Sequence, residues 1–323
     1  MAYTTIDDPT AYFQTKLYTG NDSSRAITFD GNTDMQPDWS WFKARSEAYN
    51  HALFDSVRGT TKLIRSNQTT AEETHSTTLT AFGSNGFSLG GGDAFTNADT
   101  VTYSSWHWKA GTSGSGTTTG SGTGKAYSYS VNTDAGFSIV KYIGNGTNGH
   151  TIPHHLGAVP QILWEKVTVG NTNNWGFYHH KIGNDKAMYM DQAGTATDDS
   201  FLNDTTPSST VVTLGSNMTN QDGKTFIMYS FAEKQGYSKF GSYTGNSNAD
   251  GTYVHLGFKP AFLIVKRTDA SYRWTMSDNK RIGFNRIIHG LAADSNAAEE
   301  TGAAYGEFDF TANGFKCRSA EDG

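Results

Sequence analysis

Cysteine is almost absent from this chain: Cys317 stands alone among 323 residues, so no disulfide can staple a single chain together. Proline is scarce, with six residues. Charged residues make up only 17%, with a net charge of −6 and no basic run, which argues against a nucleic-acid surface as the main business. No apolar run approaches the roughly 18 residues of a membrane helix, so membrane insertion is not expected. The N-terminus, Met1-Ala2-Tyr3-Thr4-Thr5-Ile6-Asp7-Asp8, has neither a basic nor an apolar segment. That predicts a chain without a secretory leader, made in a cytoplasm. Sustained 3.6-residue apolar periodicity is missing too, and the best helical candidate is a short one from Ala292 to Glu300.

Motifs of catalysis are equally scarce. There is no H-E-x-x-H, and Cys317 has no histidine near it in sequence. The run Gly120-Ser121-Gly122-Thr123-Gly124-Lys125 resembles a phosphate loop, but Thr119 holds the required first glycine position and Ala126 replaces the Ser/Thr. A glycosidase-type carboxylate pair drawn from distant strands stays open. His150, His154, His155, His179 and His180 concentrate in one region, yet neighbours such as His154 and His155 would point to opposite strand faces. Neither a metal nor a cofactor is expected, and the chain is not expected to be an enzyme.

What the chain does have is glycine (36 residues), many Ser, Thr and Asn residues, and 13% aromatics, a composition suited to short strands joined by many turns. It also repeats. Pro37-Asp38-Trp39-Ser40-Trp41-Phe42-Lys43 returns as Pro160-Gln161-Ile162-Leu163-Trp164-Glu165-Lys166 and as Pro260-Ala261-Phe262-Leu263-Ile264-Val265-Lys266. Alternate strand residues share one face, so Trp39/Trp41, Ile162/Trp164 and Phe262/Ile264 read as inward pairs, with Pro37, Pro160 and Pro260 at the first strand position. Aliphatic residues replace the tryptophans in the other copies, which favours core over a sugar-stacking platform. Trp175 and Trp274 read as a second core layer. Lys43, Lys166 and Lys266 are expected to bond to nearby carboxylates, with the recurring acidic pairs Glu72-Glu73, Asp198-Asp199 and Glu299-Glu300 as candidates, themselves read as solvated turn residues.

The flanks repeat as well: Tyr18-Thr19-Gly20-Asn21, Tyr142-Ile143-Gly144-Asn145 and Tyr243-Thr244-Gly245-Asn246 precede the prolines. The first two copies close with long apolar strands, Thr102–Lys109 and Thr225–Ala232; the third has no such strand. The expected organisation is all-β: an arm over 1–11, a β-sandwich module over 12–110, a Gly/Ser/Thr linker over 111–125, a second β-sandwich over 126–235, and a third, lacking its last strand, over 236–323. Only Lys234-Gln235-Gly236 separates the last two modules, so they should touch.

This pattern resembles tandem-repeat structural proteins of marine bacteriophages, such as tail-fibre-like and appendage proteins with jelly-roll or lectin-like modules. Tyr18-Thr19-Gly20-Asn21, Pro37 through Arg45, Gly257-Phe258-Lys259-Pro260-Ala261-Phe262 and Asn313-Gly314-Phe315-Lys316-Cys317-Arg318 carry the resemblance. It implies a non-enzymatic virion protein, assembled in a host cytoplasm, with other virion proteins and a host-surface glycan as partners and a trimeric homo-oligomer. A capsid decoration or head-fibre role, and a bacterial carbohydrate-binding protein or glycoside hydrolase, are the alternatives.

Overall fold

The period-2 patterns form strands nearly everywhere. The computed structural model describes residues 3–216, 218–302 and 306–320. Its one short 3-10 turn, Pro9–Ala11, starts at Asp8, whose carboxylate accepts the Thr10 backbone N–H. The first strands are β1 (Phe13–Thr19), β2 (Arg25–Thr28), β3 (Trp39–Ala44), β4 (Ala52–Asp55), β5 (Gly59–Ile64), β6 (Glu73–Thr74), β7 (Leu79–Gly83), β8 (Gly86–Leu89) and β9 (Thr102–Trp108). Next come β10 (Thr112–Thr117), β11 (Thr119–Gly120), β12 (Ala126–Asn132), β13 (Phe137–Ile143), β14 (His150–Pro153) and β15 (Ile162–Val169). They are followed by β16 (Gly176–His179), β17 (Lys186–Tyr189), β18 (Thr197–Asp198), β19 (Val211–Leu214) and β20 (Thr225–Phe231). The last are β21 (Tyr253–His255), β22 (Phe262–Val265), β23 (Thr275–Asp278), β24 (Leu291–Ala292), β25 (Phe308–Thr311) and β26 (Gly314–Cys317).

Among the described residues these strands form six sheets, none closed into a barrel. A six-stranded sheet ordered β1-β9-β3-β4-β5-β6 is accompanied by β2-β8-β7. An eight-stranded sheet ordered β10-β12-β13-β20-β15-β16-β17-β18 is accompanied by β11-β14-β19. Two three-stranded sheets, β22-β23-β24 and β21-β26-β25, complete the chain. Phe42, Phe54, Leu63, Phe87 and Leu89 fill one core between large and small sheet, and Leu163, Tyr178, Val212, Leu214 and Phe226 fill the second. Phe308, Phe310, Phe315 and Cys317 fill a third.

Three expectations need correcting. The 111–125 segment is not a linker: β10 pairs with β12, and β11 with β14. Its glycines are spaced to lie under aromatic rings, Gly114 opposite Tyr129 and Gly116 opposite Tyr127. A Cβ on Gly114 would sit 2.7 Å from the Tyr129 hydroxyl oxygen, so the low complexity is close packing and not slack. The stretch from Ala292 to Glu300 is not helical; Leu291–Ala292 joins a sheet and Glu300 bridges back to Gly290. The three prolines are buried but stand two residues ahead of the first strand residue, where their missing N–H leaves no ladder bond unmade. Ile6, in the arm, is buried at 6% exposure.

Candidate functional site

The central strand β3 is buried at all six residues, so both of its faces are covered. One face meets the small sheet. On the other face, Trp39 and Trp41 enter a cluster that also takes Ile162, Trp164, Phe177, Trp274 and Met276, with Phe262 and Ile264 packed against it. Trp39/Trp41 and Ile162/Trp164 are buried, Phe262/Ile264 are partly exposed and pack against them, and this interior is shared among the three copies. Trp39 stacks on Tyr229 with centroids 4.5 Å apart, Trp106 lies 5.6 Å from Phe262, and Phe177 meets Trp274 edge-on at 4.8 Å. Each pair of copies therefore has its own aromatic contact.

The polar contacts recur in the same cyclic sense. Strand register aligns Trp106 of the first copy with Tyr229 of the second, because Phe13 pairs with Trp108 and Phe137 with Phe231. Trp106 Nε1 donates to Asp278 Oδ2 of the third copy at 3.1 Å, and the Tyr229 hydroxyl donates to Asp55 Oδ2 of the first at 2.6 Å. Each carboxylate is held by the arginine three residues on: Arg58 Nε to Asp55 Oδ2 at 2.5 Å, Arg281 Nε to Asp278 Oδ2 at 2.6 Å. These pairs are fully buried, and a buried ion pair survives only when its remaining donors and acceptors are also satisfied. Arg58 meets that demand through the Lys62 and Leu53 carbonyls, and Arg281 through the Met276 carbonyl and Glu299.

A second ring of contacts comes from His51, Trp175 and Trp274, each one residue before β4, β16 or β23. Trp175 Nε1 donates to the Arg65 carbonyl of the first copy at 2.8 Å, and Trp274 Nε1 to the Gln192 carbonyl of the second at 3.0 Å. His51 Nδ1 accepts Trp41 Nε1 at 2.8 Å, which leaves the proton on Nε2, facing the Ala292 carbonyl of the third copy at 2.9 Å. Burial pushes His51 down to about 3, so it stays neutral. The backbones of the same three residues donate to matched side-chain oxygens, those of Asn67, Asp191 and Asp294.

The repeated lysines do not bond to carboxylates as expected. Lys43 Nζ donates to the Ala44 carbonyl at 2.6 Å, Lys166 to the carbonyls of Thr69 (2.9 Å) and Asn173, and Lys266 to those of Ala193 (3.2 Å) and Arg267 (2.7 Å). Lys166 and Lys266 thereby tie their own copy to a loop of the neighbouring one. Burial lowers Lys43 and Lys166 to about 8. The carboxylates go to arginines instead. Glu299, whose side chain is 6% exposed, takes Arg45 of the first copy and Arg281 of its own, so the carboxylate of that member of the acidic pairs is covered and not solvated. Glu72 meets Arg58, and Glu73 is held bidentate by Arg65.

Two arrangements have chemical appeal without access. Ser40 Oγ lies 2.8 Å from His107 Nδ1, and His107 Nε2 lies 2.8 Å from Ser105 Oγ. All three residues have no exposure, and the imidazole is wrapped by Phe29, Phe42 and Phe87, so no substrate reaches the serine. Glu165 is 1% exposed, and neither carboxylate oxygen has a hydrogen-bond partner. It stands at the register position of Phe42 and Val265, and burial raises it to about 8. Among the described residues, no group of three or more His, Cys, Asp or Glu could hold a metal ion.

All seven tryptophans are buried, at 8% exposure or less, so none offers a face for sugar stacking. Sequence reasoning assigned no role to Asp55, Arg58, Asp278 and Arg281. Their signal was present: an Asp-x-x-Arg that starts twelve residues after the repeated lysine in two copies (55−43, 278−266). A family model described as a domain of unknown function, DUF7483, matches residues 8–323. The chain belongs to the DUF7483 family. That match runs through all three proline-led copies as one unit, in keeping with a core to which every copy contributes. No curated protein and no solved structure matches the chain.

Proposed function

We propose that this chain is a non-enzymatic building block of a bacteriophage particle, a tail-fibre or appendage protein whose outward loops touch a host surface. In this reading it is three tandem β-sandwich units closed into a ring about one core. The carrying observation is the cyclic recurrence of the joint, Tyr229 on Asp55 and Trp106 on Asp278. It suits a rigid part that resists shear, because breaking one joint exposes aromatic surface shared by all units. The threefold arrangement expected of an appendage then lies within one polypeptide. Association of further copies through the outer faces is compatible with it but not required. Burial of every tryptophan weighs against the carbohydrate-enzyme alternative, while exposed Tyr3, Tyr253 and Phe284 (56%, 47% and 69%) are large aromatics open to a glycan.

The test is location. Antibody-labelled electron microscopy of purified particles should place the protein on a tail or appendage. Label on the capsid shell would favour the decoration role, and absence from particles together with polysaccharide turnover would overturn the reading.

A further inference from the structure

Asn67, Asp191 and Asp294 hold matched places, each accepting the main-chain N–H of His51, Trp175 or Trp274. The residue that follows is a glutamine in the first two copies, Gln68 and Gln192. These two equivalent loops border one open recess of about 420 Å³, lined by Asn67, Gln68, Thr69, Thr70, Asp191 and Gln192. That volume falls within the roughly 300–1,000 Å³ usual for small-molecule sites.

The walls of the recess are fixed through the main chain. Lys166 Nζ donates to the Gln68 and Thr69 carbonyls at 3.4 and 2.9 Å. The Thr69 carbonyl also accepts the Asn173 N–H at 3.1 Å, and the Gln192 carbonyl accepts Trp274 Nε1 at 3.0 Å. The side chains are left over. Gln68 Oε1 has one long contact, from Thr70 Oγ1 at 3.5 Å. Among the described residues, no hydrogen bond reaches Gln68 Nε2, the Thr69 hydroxyl or the Gln192 amide group. Asp191 Oδ1 accepts the Trp175 N–H at 2.8 Å, and a carboxylate has lone pairs to spare after one such bond. Fixed walls with unspent side chains lower the ordering cost of binding. The lining has no apolar side chain, which argues against a lipid or an aromatic ligand. It has no cation either, and Asp191 repels an anion. Two amides, two hydroxyls and a carboxylate match a ligand rich in neutral hydroxyl groups, which both donate and accept.

We propose that this recess binds one neutral sugar residue of a surface glycan, with the Gln68 and Gln192 amides bonding to its hydroxyls from the two loops and the Asp191 carboxylate accepting from another. The site deepens the glycan-contact reading above and rests on it only for the source of the sugar. The lining offers no aromatic face for stacking, so hydrogen bonds carry the binding. A single sugar residue held in this way binds with a Kd on the order of 1–10 mM, which many copies on one particle would strengthen by multivalency.

The test titrates the full chain with the methyl glycosides of glucose, galactose, mannose and N-acetylglucosamine, and with glucuronate as the charged control. The side-chain amide NMR signals of Gln68 and Gln192 report the site. Both should shift with at least one neutral glycoside, and glucuronate should bind about tenfold more weakly or not at all, because like charges oppose each other across the contact. A Gln68→Ala/Gln192→Ala double variant should bind that glycoside about tenfold more weakly or worse, the loss of two neutral hydrogen bonds. Its urea midpoint should stay unchanged, since neither side chain supports the fold. Binding of no neutral glycoside at about ten times the expected Kd overturns the proposal. So does undiminished binding by the double variant, or tighter binding of glucuronate. None of these results bears on where a particle carries the protein. Absence of the chain from particles, with the glycoside still bound at the two glutamines, would instead sink the appendage reading and leave this site standing.

Discussion

Glu165 should make this protein less stable as the pH rises through neutrality, and its replacement should remove that slope. The carboxyl is buried, Met228 stands opposite Glu165 in the ladder, and the Thr219 hydroxyl gives it no well-formed hydrogen bond and opposes the effect of burial only in part. Burial raises it from the usual 4.5 to about 8. Below pH 4.5 the group is protonated in both the folded and unfolded chain and costs nothing through ionisation. Between 4.5 and 8 the unfolded chain ionises it while the folded chain cannot, so the folded state loses about 1.4 kcal/mol per pH unit. Above 8 both states are ionised, and the loss levels off at about 5 kcal/mol. Urea unfolding of the native chain and of Glu165→Gln at unit intervals from pH 4 to 9 measures the difference directly. The gap between the two stabilities should widen in favour of the variant between pH 5 and 8 and stay flat outside that window. Parallel curves would show that a bond or a water stabilises the ionised carboxylate, and the argument would fail.

The buried histidines act with the opposite sign. Burial depresses His51 to about 3 and His154 and His179 to about 4, so their stabilisation is present above pH 6.5 and is lost as the pH falls through those values. In the Glu165→Gln background stability should fall steeply from pH 6 to 4, and less steeply with His51→Asn. Tyr229→Phe removes one donor from the buried Asp55 and should cost about 1–3 kcal/mol in urea unfolding; a loss below about 0.3 kcal/mol, the usual scatter of distant surface changes, would remove Asp55 from the joint. Gly114→Val would force the new side chain into the Tyr129 ring, so limited proteolysis should cut within residues 111–125 of the variant and spare the native chain.

Much of the architecture was legible because period-2 alternation is a local property. The proline-led repeat marks β3, β15 and β22; the pairs two and four residues on are buried in the first two, while Phe262 and Ile264 are only partly so. Alternation shows which residues share a face but not what covers it, so Trp39 and Trp41 could be assigned to a core without revealing that the other copies complete it. The same limit hid the lysines. A lysine after an apolar strand suggests a carboxylate, yet Lys166 reaches carbonyls of a loop nearly one hundred residues away in the chain. Composition misled at 111–125, because Gly-Ser-Thr repeats describe slack chain unless aromatic rings lie across the strand from the glycines. Asp55 and Asp278 went unassigned because their importance depends on a donor from another copy, which no local pattern contains.

His179 and Ile182 stand where Asp55 with Arg58, and Asp278 with Arg281, form buried ion pairs. A lone aspartate at 179 would be a half-buried charge with no partner, which is expensive. Histidine and isoleucine avoid that cost. His179→Asp alone should therefore destabilise the chain by about 1–3 kcal/mol in urea unfolding. Adding Ile182→Arg should recover most of that loss, because a guanidinium three residues on supplies the bond that Arg58 gives Asp55. A double variant no more stable than His179→Asp would mean that the turn at 179–182 is built differently from those at 55–58 and 278–281.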